Sequence, residues 1–400
     1  MHISHSRSTL FTLLSAVAWS NVAPSASGQL LPFDQPFLSP TNDVASHLVV
    51  QDIDGDGLPD VSTAGPSHGQ VSFGDRTSLL RVGPSFLTGP PSSLAAGDLN
   101  EDGFGDFAWA SSDLATVFVD LSDGAGGYQW YQALEPSPLT PETLEIRDCN
   151  GDGHRDVAAN SMGWLGGGDG TFTSGSGCLA LRAVVGDFDG DAWPDRARLV
   201  AAGFFGEKRL RVARGIAGGG FGSEVDGPFV PAYSSLDLAA DVDGDGLDDL
   251  FLRTVDHLQI VLVRAAGGGG FGSPVLTSFP DSIAGVAAAD IDGDGRAEVA
   301  AASAVGGPSV RFLRAAADST LTEYASLPLL GQAYGLAFVD LAGDGAPEMV
   351  FSNAPSPGLW VYPNRRGFLI DVPTLDPHGL ALLGLLVAAA GCLLLHRARP

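Results

Sequence analysis

Short apolar runs alternate with polar, glycine-rich turns through most of this chain. The runs at 236–240 and 250–255 flank an acidic loop, while those at 210–214 and 260–264 lead into glycine-rich turns closed by Phe221 and Phe271. Gly126-Gly127-Tyr128 and the stretch Gly168-Asp169-Gly170-Thr171-Phe172 echo that second turn. Runs of this length, bounded by turn residues, predict β-strands rather than helices. An acidic turn within one hairpin and a glycine turn within the next give four strands per unit, the size of a propeller blade.

The unit repeats. Asp52-Ile53-Asp54-Gly55-Asp56-Gly57-Leu58-Pro59-Asp60 is the first of seven copies of a nine-residue pattern, the others starting at Asp98, Asp148, Asp187, Asp241, Asp290 and Asp340. Their mean spacing is 48 residues. Sustained repetition at such a period is the mark of a propeller or a solenoid.

Within each copy the residue types follow a chemical logic. Positions 1, 3 and 5 carry oxygen-bearing side chains that a tight turn points at one centre. They are Asp52, Asp54 and Asp56; Asp98, Asn100 and Asp102; Asp148, Asn150 and Asp152; and Asp187, Asp189 and Asp191. Then come Asp241, Asp243 and Asp245; Asp290, Asp292 and Asp294; and Asp340 with Asp344, where Ala342 removes the middle ligand. Position 9 closes the cage with Asp60, Asp106, Asp156, Asp195, Asp249, Glu298 or Glu348. A backbone carbonyl at position 7 supplies a further oxygen, from Leu58, Phe104, His154, Trp193, Leu247, Arg296 or Ala346. Glycines at positions 4 and 6 permit the positive φ a curled loop needs, except where Glu101 and Ala192 replace them. Position 2 is always apolar and anchors the loop.

Hard oxygen donors in this number favour calcium over zinc or copper. The seven nonamers hold 27 of the 47 acidic residues, so the net charge of −26 is concentrated in them. An EF-hand is excluded: position 12 is Thr63, Trp109, Ala159, Arg198, Leu252, Ala301 or Phe351, never a carboxylate, and the flanks read as strands. The first, fifth and sixth loops are the strongest, and the seventh is the weakest.

The D-x-D-G-D-G-x-x-D loop followed by a Phe-Gly turn resembles the FG-GAP (VCBS-type) repeats of integrin α-subunit heads and many bacterial surface proteins. The resemblance implies an all-β fold, a seven-bladed β-propeller of four-stranded blades spanning residues 29–370. It also implies that the loops share one rim, where calcium stiffens the blades. By the same pattern Leu31-Pro32-Phe33 and the residues after it add the outer strand to the last blade. A solenoid is the fold-level alternative.

The ends read as addresses. His2, His5 and Arg7 precede an apolar stretch at 10–19, and Ala26-Ser27-Gly28 suits cleavage before Gln29, so residues 1–28 form a secretory signal peptide. Residues 379–395 carry no charge and are followed by His396-Arg397-Ala398-Arg399, the pattern of a short transmembrane helix with a cytoplasmic basic end. With Val372-Pro373-Thr374-Leu375 before it, the segment 371–400 resembles the IPTL-type carboxy-terminal sorting tails of bacteria. Asp376-Pro377-His378 stand where such tails usually have an aromatic residue.

The acidic charge excludes nucleic acid and anionic membrane surfaces as partners of the body. Cys149 and Cys178 are the only pair outside the tail, either bridged or simply buried. Gly65-Pro66-Ser67-His68-Gly69 matches a nucleophile-elbow pattern but stands before a strand, so it reads as a hairpin turn and not a catalytic serine. Tyr128-Gln129-Trp130-Tyr131 suits stacking on a sugar, although aromatics in a β-protein are more often core; Trp193 is expected at the surface. The reading that emerges is an exported, envelope-anchored, calcium-binding propeller acting in adhesion or binding of a surface ligand, protein or glycan. A sorting protease is implied as a partner of the tail. A calcium-dependent polysaccharide lyase and a structural spacer are the alternatives.

Overall fold

A computed structural model describes residues 31–364, apart from 35, 88, 112, 124–126, 135–142, 160–161, 176–182, 203–206, 217–220, 232–233, 304–308, 330–331 and 355–356. The signal peptide expected at 1–28, the tail at 371–400 and Cys178 lie outside the described residues. Cys149 is disulfide-bonded. Among the described residues no helix is long and apolar enough to cross a membrane.

The described residues form seven antiparallel sheets of four strands. After β1 (Phe37–Ser39), the first blade is β2 (His47–Gln51), β3 (Asp60–Ala64), β4 (His68–Gly74) and β5 (Leu80–Leu87). The second is β6 (Pro91–Gly97), β7 (Asp106–Ser111), β8 (Val117–Ser122) and β9 (Tyr128–Ala133), and the third is β10 (Leu144–Arg147), β11 (Asp156–Ala159), β12 (Gly163–Gly166) and β13 (Phe172–Gly175). The fourth is β14 (Ala183–Gly186), β15 (Asp195–Ala201), β16 (Lys208–Gly215) and β17 (Phe221–Val230); the fifth is β18 (Ser235–Ala240), β19 (Asp249–Arg253), β20 (Gln259–Val263) and β21 (Val275–Ser278). The sixth is β22 (Ile283–Ala289), β23 (Glu298–Ser303), β24 (Ser309–Ala315) and β25 (Leu321–Pro328), and the last contains β26 (Gln332–Val339), β27 (Glu348–Ala354) and β28 (Leu359–Tyr362). The architecture is the seven-bladed propeller that the repeat implies.

The first strand of each blade lies innermost, as contacts of β2 with β6, β18 with β22, and β26 with β2 indicate. Converging strands leave little room, and these are rich in Ala, Gly and Ser. A Cβ on Gly335 of β26 would stand 3.2 Å from the Cβ of Leu48 on β2.

Successive side chains on a strand face opposite sides, and here both sides are covered by a neighbouring blade. On β19, Leu250 and Leu252 join an apolar layer with the fourth blade, while Phe251 joins the layer with the sixth. Two buried faces explain why the second strands read as continuous apolar runs rather than alternating ones. The layer between the third and fourth blades is different. Among the described residues its apolar cluster holds only Ala158, Cys149 and Leu165. Arginines stand there instead: Arg196 and Arg198 pair with Glu224 at 3.5 and 2.5 Å, and the charges of Arg147 and Glu145 act on Arg196.

The ring is closed by the amino end. β1 pairs with β28, Phe37 opposite Val361, so the last blade takes its outer strand from the start of the chain. The contact begins before that strand: Phe33 bridges Asn364, and the Asp34 amide donates to the Pro363 carbonyl at 2.8 Å. One detail differs from the expected hairpins. Phe271 makes only an isolated bridge to Ala265, and β21 starts four residues later, because three consecutive glycines, 267 to 269, take positive φ and widen the turn.

Candidate metal centres

All seven acidic loops connect the first strand of a blade to the second, so they gather on one face of the ring. Position 9 is always the first residue of the second strand, and position 2 is buried in six loops, partly exposed only at Cys149. Positions 4 and 6 have positive φ in every copy, from Gly55 (75°) and Gly57 (85°) to Gly343 (68°) and Gly345 (79°). Glu101 (61°) and Ala192 (66°) adopt the same conformation without being glycine. The loop geometry is therefore kept where the sequence departs from its pattern.

The position-1 carboxylate organises the turn. Asp241 accepts from the amides of Gly244 at 2.7 Å and Gly246 at 2.9 Å, and Asp52 accepts likewise from Gly55 and Gly57. Position 5 accepts from the position-7 amide, as Asp245 does from Leu247 at 3.0 Å. Position 9 is buried and bridges two segments. Asp249 accepts from Val242 of its own loop at 3.3 Å and from Ala265, just past the third strand, at 2.9 Å. Asp60, Asp106, Asp156 and Asp195 repeat the bridge to Gly74, Ser122, Gly166 and Gly215. The last acid of the first five loops is thus a staple between the second and third strands, a role its position in the sequence does not reveal.

Four loops bring three carboxylates within 4.8 Å of one another. In the first and sixth these are positions 1, 3 and 5 (Asp52, Asp54, Asp56; Asp290, Asp292, Asp294); in the fourth and fifth they are positions 1, 3 and 9 (Asp187, Asp189, Asp195; Asp241, Asp243, Asp249). In the second and third loops Asn100 and Asn150 instead donate to Asp102 and Asp152, at 3.0 and 2.8 Å. In the seventh, Ala342 stands at position 3 and offers no ligand between Asp340 and Asp344. His154 turns its ring to Glu101 of the preceding loop, 2.6 Å away, and that bond raises its pKa; Trp193 is exposed, as expected.

Electrostatics mark the loops as short of positive charge. Burial pushes the carboxyl of Asp60 up to about 6 and those of Asp106, Asp249 and Glu298 up to about 7. Desolvation favours the neutral form of these acids, and a bound cation would favour the ionised one. The donors are hard oxygens, a set that fits calcium.

Part of the missing charge comes from residues that the sequence reading passed over. Arg214, Arg264 and Arg314, fifty residues apart, reach the position-3 aspartates Asp189, Asp243 and Asp292 of their own blades. Arg314 also bonds Glu298 at 2.9 Å. In the first blade Arg81 comes from the outer strand to within 3.5 Å of Asp54, lying over Phe73. The signal was present as an arginine at or just past the end of the third strand in the fourth, fifth and sixth blades, but the loop consensus does not contain it.

Neighbouring loops are tied together. The Gly105 amide donates to the Ile53 carbonyl at 2.8 Å, Asp248 to Asp187 at 2.8 Å, and Ala297 to Asp241 at 2.7 Å, each from position 8 to the preceding loop. Pro347 at position 8 of the seventh loop has no amide hydrogen. There the buried side chain of Asn364 donates to the Ile291 carbonyl at 3.0 Å and to the Pro347 carbonyl at 3.2 Å.

Two expectations outside the loops are also decided. Gly65 to His68 forms the turn joining β3 and β4, and β4 follows it directly, so Ser67 is not on an elbow. The aromatic run of β9, weighed towards core, is half outside: Tyr128 is partly buried, whereas Trp130 is 65 % and Tyr131 44 % exposed.

Residues 241–301 match the family model of the FG-GAP-like repeat, and residues 372–399 match the IPTL-CTERM motif. No curated protein matches the chain. Among solved structures it is similar to BBS1N, determined in complex with ARL6DN and soaked with lead, at 10 % identity and a TM-score of 0.52, over 83 % of this chain and 97 % of that one. A lectin of Agrocybe aegerita, described for specific recognition of non-reducing terminal N-acetylglucosamine, is 17 % identical with a TM-score of 0.47, over 80 % of this chain and 95 % of that one. The chain is a seven-bladed β-propeller in which residues 241–301 match the FG-GAP-like repeat and residues 372–399 match the IPTL-CTERM motif.

Proposed function

We propose that this protein is exported, sorted to the cell surface through its carboxyl-terminal motif, and serves there as a calcium-stiffened propeller in adhesion or ligand binding. The observation that carries the metal part is the conformational identity of the seven loops. Each takes two positive φ values at the same positions, and four of them gather three carboxylates. Aspartates at positions 1, 3 and 5, the position-7 carbonyl and the position-9 acid would hold the ion. When bound, calcium supplies the positive charge that the buried acids lack. The residues themselves shape the loop, staple the hairpins and link neighbouring blades. The IPTL-CTERM match supports the sorting part.

Thermal unfolding in calcium and in chelator tests the reading. An ion that binds only the folded state raises the melting temperature with concentration. Extracellular calcium modules bind at about 10⁻⁴–10⁻³ M, and the titration is run through that range. A rise that saturates there supports the proposal. A melting curve that calcium leaves in place removes the metal from it.

A further inference from the structure

Away from the loops, the outer part of the layer between the first and second blades contains a pocket of about 380 Å³. It is lined by Phe86 of β5, Trp109 of β7, Phe118 and Asp120 of β8, and Tyr128 and Trp130 of β9. Its volume falls in the range of ligand sites, roughly 300–1,000 Å³.

The strand register builds this lining. Trp109 stands opposite Phe118, and their rings stack with centroids 4.4 Å apart. Asp120 stands opposite Trp130 because the β8–β9 ladder skips Tyr131 between Val119–Gln132 and Asp120–Trp130. That bulge turns Trp130 to the pocket; bulges commonly re-aim a side chain at a functional place.

Asp120 is the group that needs an explanation. It is 5 % exposed, and Trp109 donates to one of its oxygens at 2.9 Å. The other oxygen has no hydrogen-bond donor among the described residues, and no arginine, lysine or histidine among them pairs with it. Burial raises its pKa to about 6, and the Trp109 hydrogen bond works against that rise by favouring the ionised form. That second oxygen is not sealed away: it opens on the pocket, where a ligand can reach it.

We propose that this pocket binds an organic cation, an alkylated ammonium group held between the aromatic rings with its charge on Asp120. Aromatic faces attract such cations, and a carboxylate in the same cage adds direct charge pairing. The net charge of −26 draws cations towards the molecule. A neutral sugar fits less well. It needs several polar groups converging on its hydroxyls, whereas here the Trp109 indole N–H is taken by Asp120 and the Tyr128 hydroxyl donates to the Gly105 carbonyl at 3.3 Å, which leaves the Trp130 indole N–H beside the carboxylate. The inference names a ligand class for the binding role proposed above and rests on that role, but not on metal occupancy.

The test is calorimetric titration of the whole protein, in calcium and again in chelator, with choline and with 3,3-dimethylbutan-1-ol, its uncharged isostere. Choline is expected to bind at least about tenfold more tightly than the isostere. Asp120→Asn keeps an acceptor for Trp109 and should weaken choline about tenfold. Trp130→Ala, at an exposed position, should do the same with an unchanged melting temperature. Equal binding of choline and the isostere, no choline binding, unaltered affinity in both variants, or uptake of glucose or N-acetylglucosamine in place of choline would each overturn the assignment. Such a failure beside a calcium-dependent melting temperature leaves the calcium scaffold standing. Choline binding beside a calcium-independent melting temperature does the reverse.

Discussion

Asp243 shares its carboxylate with Arg264, whose guanidinium lies 2.5 Å from Oδ2. The arginine sits where a bound cation would also draw on that oxygen. Replacing it therefore removes both a competitor and a nearby positive charge, and the two effects act in the same direction. Arg264→Gln should strengthen calcium binding at the fifth loop roughly fivefold, the scale of a partly exposed ion pair. It should also lower the melting temperature in chelator. Calcium titration by calorimetry decides it, and an equal or weaker affinity would show that the arginine organises the loop instead of competing for it.

The raised carboxyls give a direction to the pH dependence. Asp106 and Asp249 titrate at about 7 when folded and near 3.8 when unfolded, and Glu298 at about 7 against 4.5. Between those values the folded protein holds more protons than the unfolded chain. The stability from the neutral acids is therefore complete below about pH 4 and lost as pH rises through 6 to 7. In chelator the melting temperature should fall from about pH 5 to pH 8, and saturating calcium should abolish the fall. A melting temperature that climbs with pH in chelator contradicts the burial of unpaired acids.

Ala192 holds a φ of 66° at an exposed position. Left-handed backbone costs a residue with a Cβ roughly 1–2 kcal/mol, part of which glycine returns as freedom of the unfolded chain. Ala192→Gly should stabilise by up to about 1 kcal/mol, measured by urea unfolding. Gly244→Ala should destabilise, since its φ is 76° and the new Cβ would lie 3.1 Å from Arg296 Cγ.

Asn364 supplies the hydrogen that Pro347 lacks, so Asn364→Ala leaves the Ile291 carbonyl without that donor inside the protein. Leaving a buried acceptor unpaired costs about 1–3 kcal/mol. The midpoint of urea unfolding should drop accordingly, with Asn364→Gln as the control for side-chain chemistry. A midpoint that does not move would mean water replaces the amide.

Local stability should track the interblade layers. Amides of β10 and β14, on either side of the arginine-rich seam, should exchange faster than those of β18, whose Leu236, Leu238 and Ala239 pack against apolar layers on both sides. Hydrogen exchange read by mass spectrometry checks this, and uniform protection around the ring would refute it.

The fold was legible because its instructions are local and repeated. A nonamer fixes a turn by its glycines and aspartates, and a second turn follows within each unit. What stayed hidden depends on residues that meet only across strands. Arg264 lies 21 residues from Asp243 and was seen as part of a strand end. Asp120 and Trp130 face each other through a bulge, a register slip that leaves no mark in composition. Asn364 replaces the amide hydrogen that Pro347, 17 residues earlier, does not have. Even the position-9 acids were read as ligands alone, since their bonds to the third strand appear only when the hairpins close.

The pairing of β1 with β28 has a consequence during synthesis. Phe37–Ser39 leave the ribosome more than three hundred residues before Leu359–Tyr362, the strand they complete. Throughout that time the nascent chain carries an orphan strand, and afterwards an unfinished sheet with a bare apolar edge. Any second copy offers the same orphan to the same edge. Strand exchange between copies is therefore the natural misassembly of this molecule, and a chain that has lost β1 or β28 is left with an open edge instead of a closed ring.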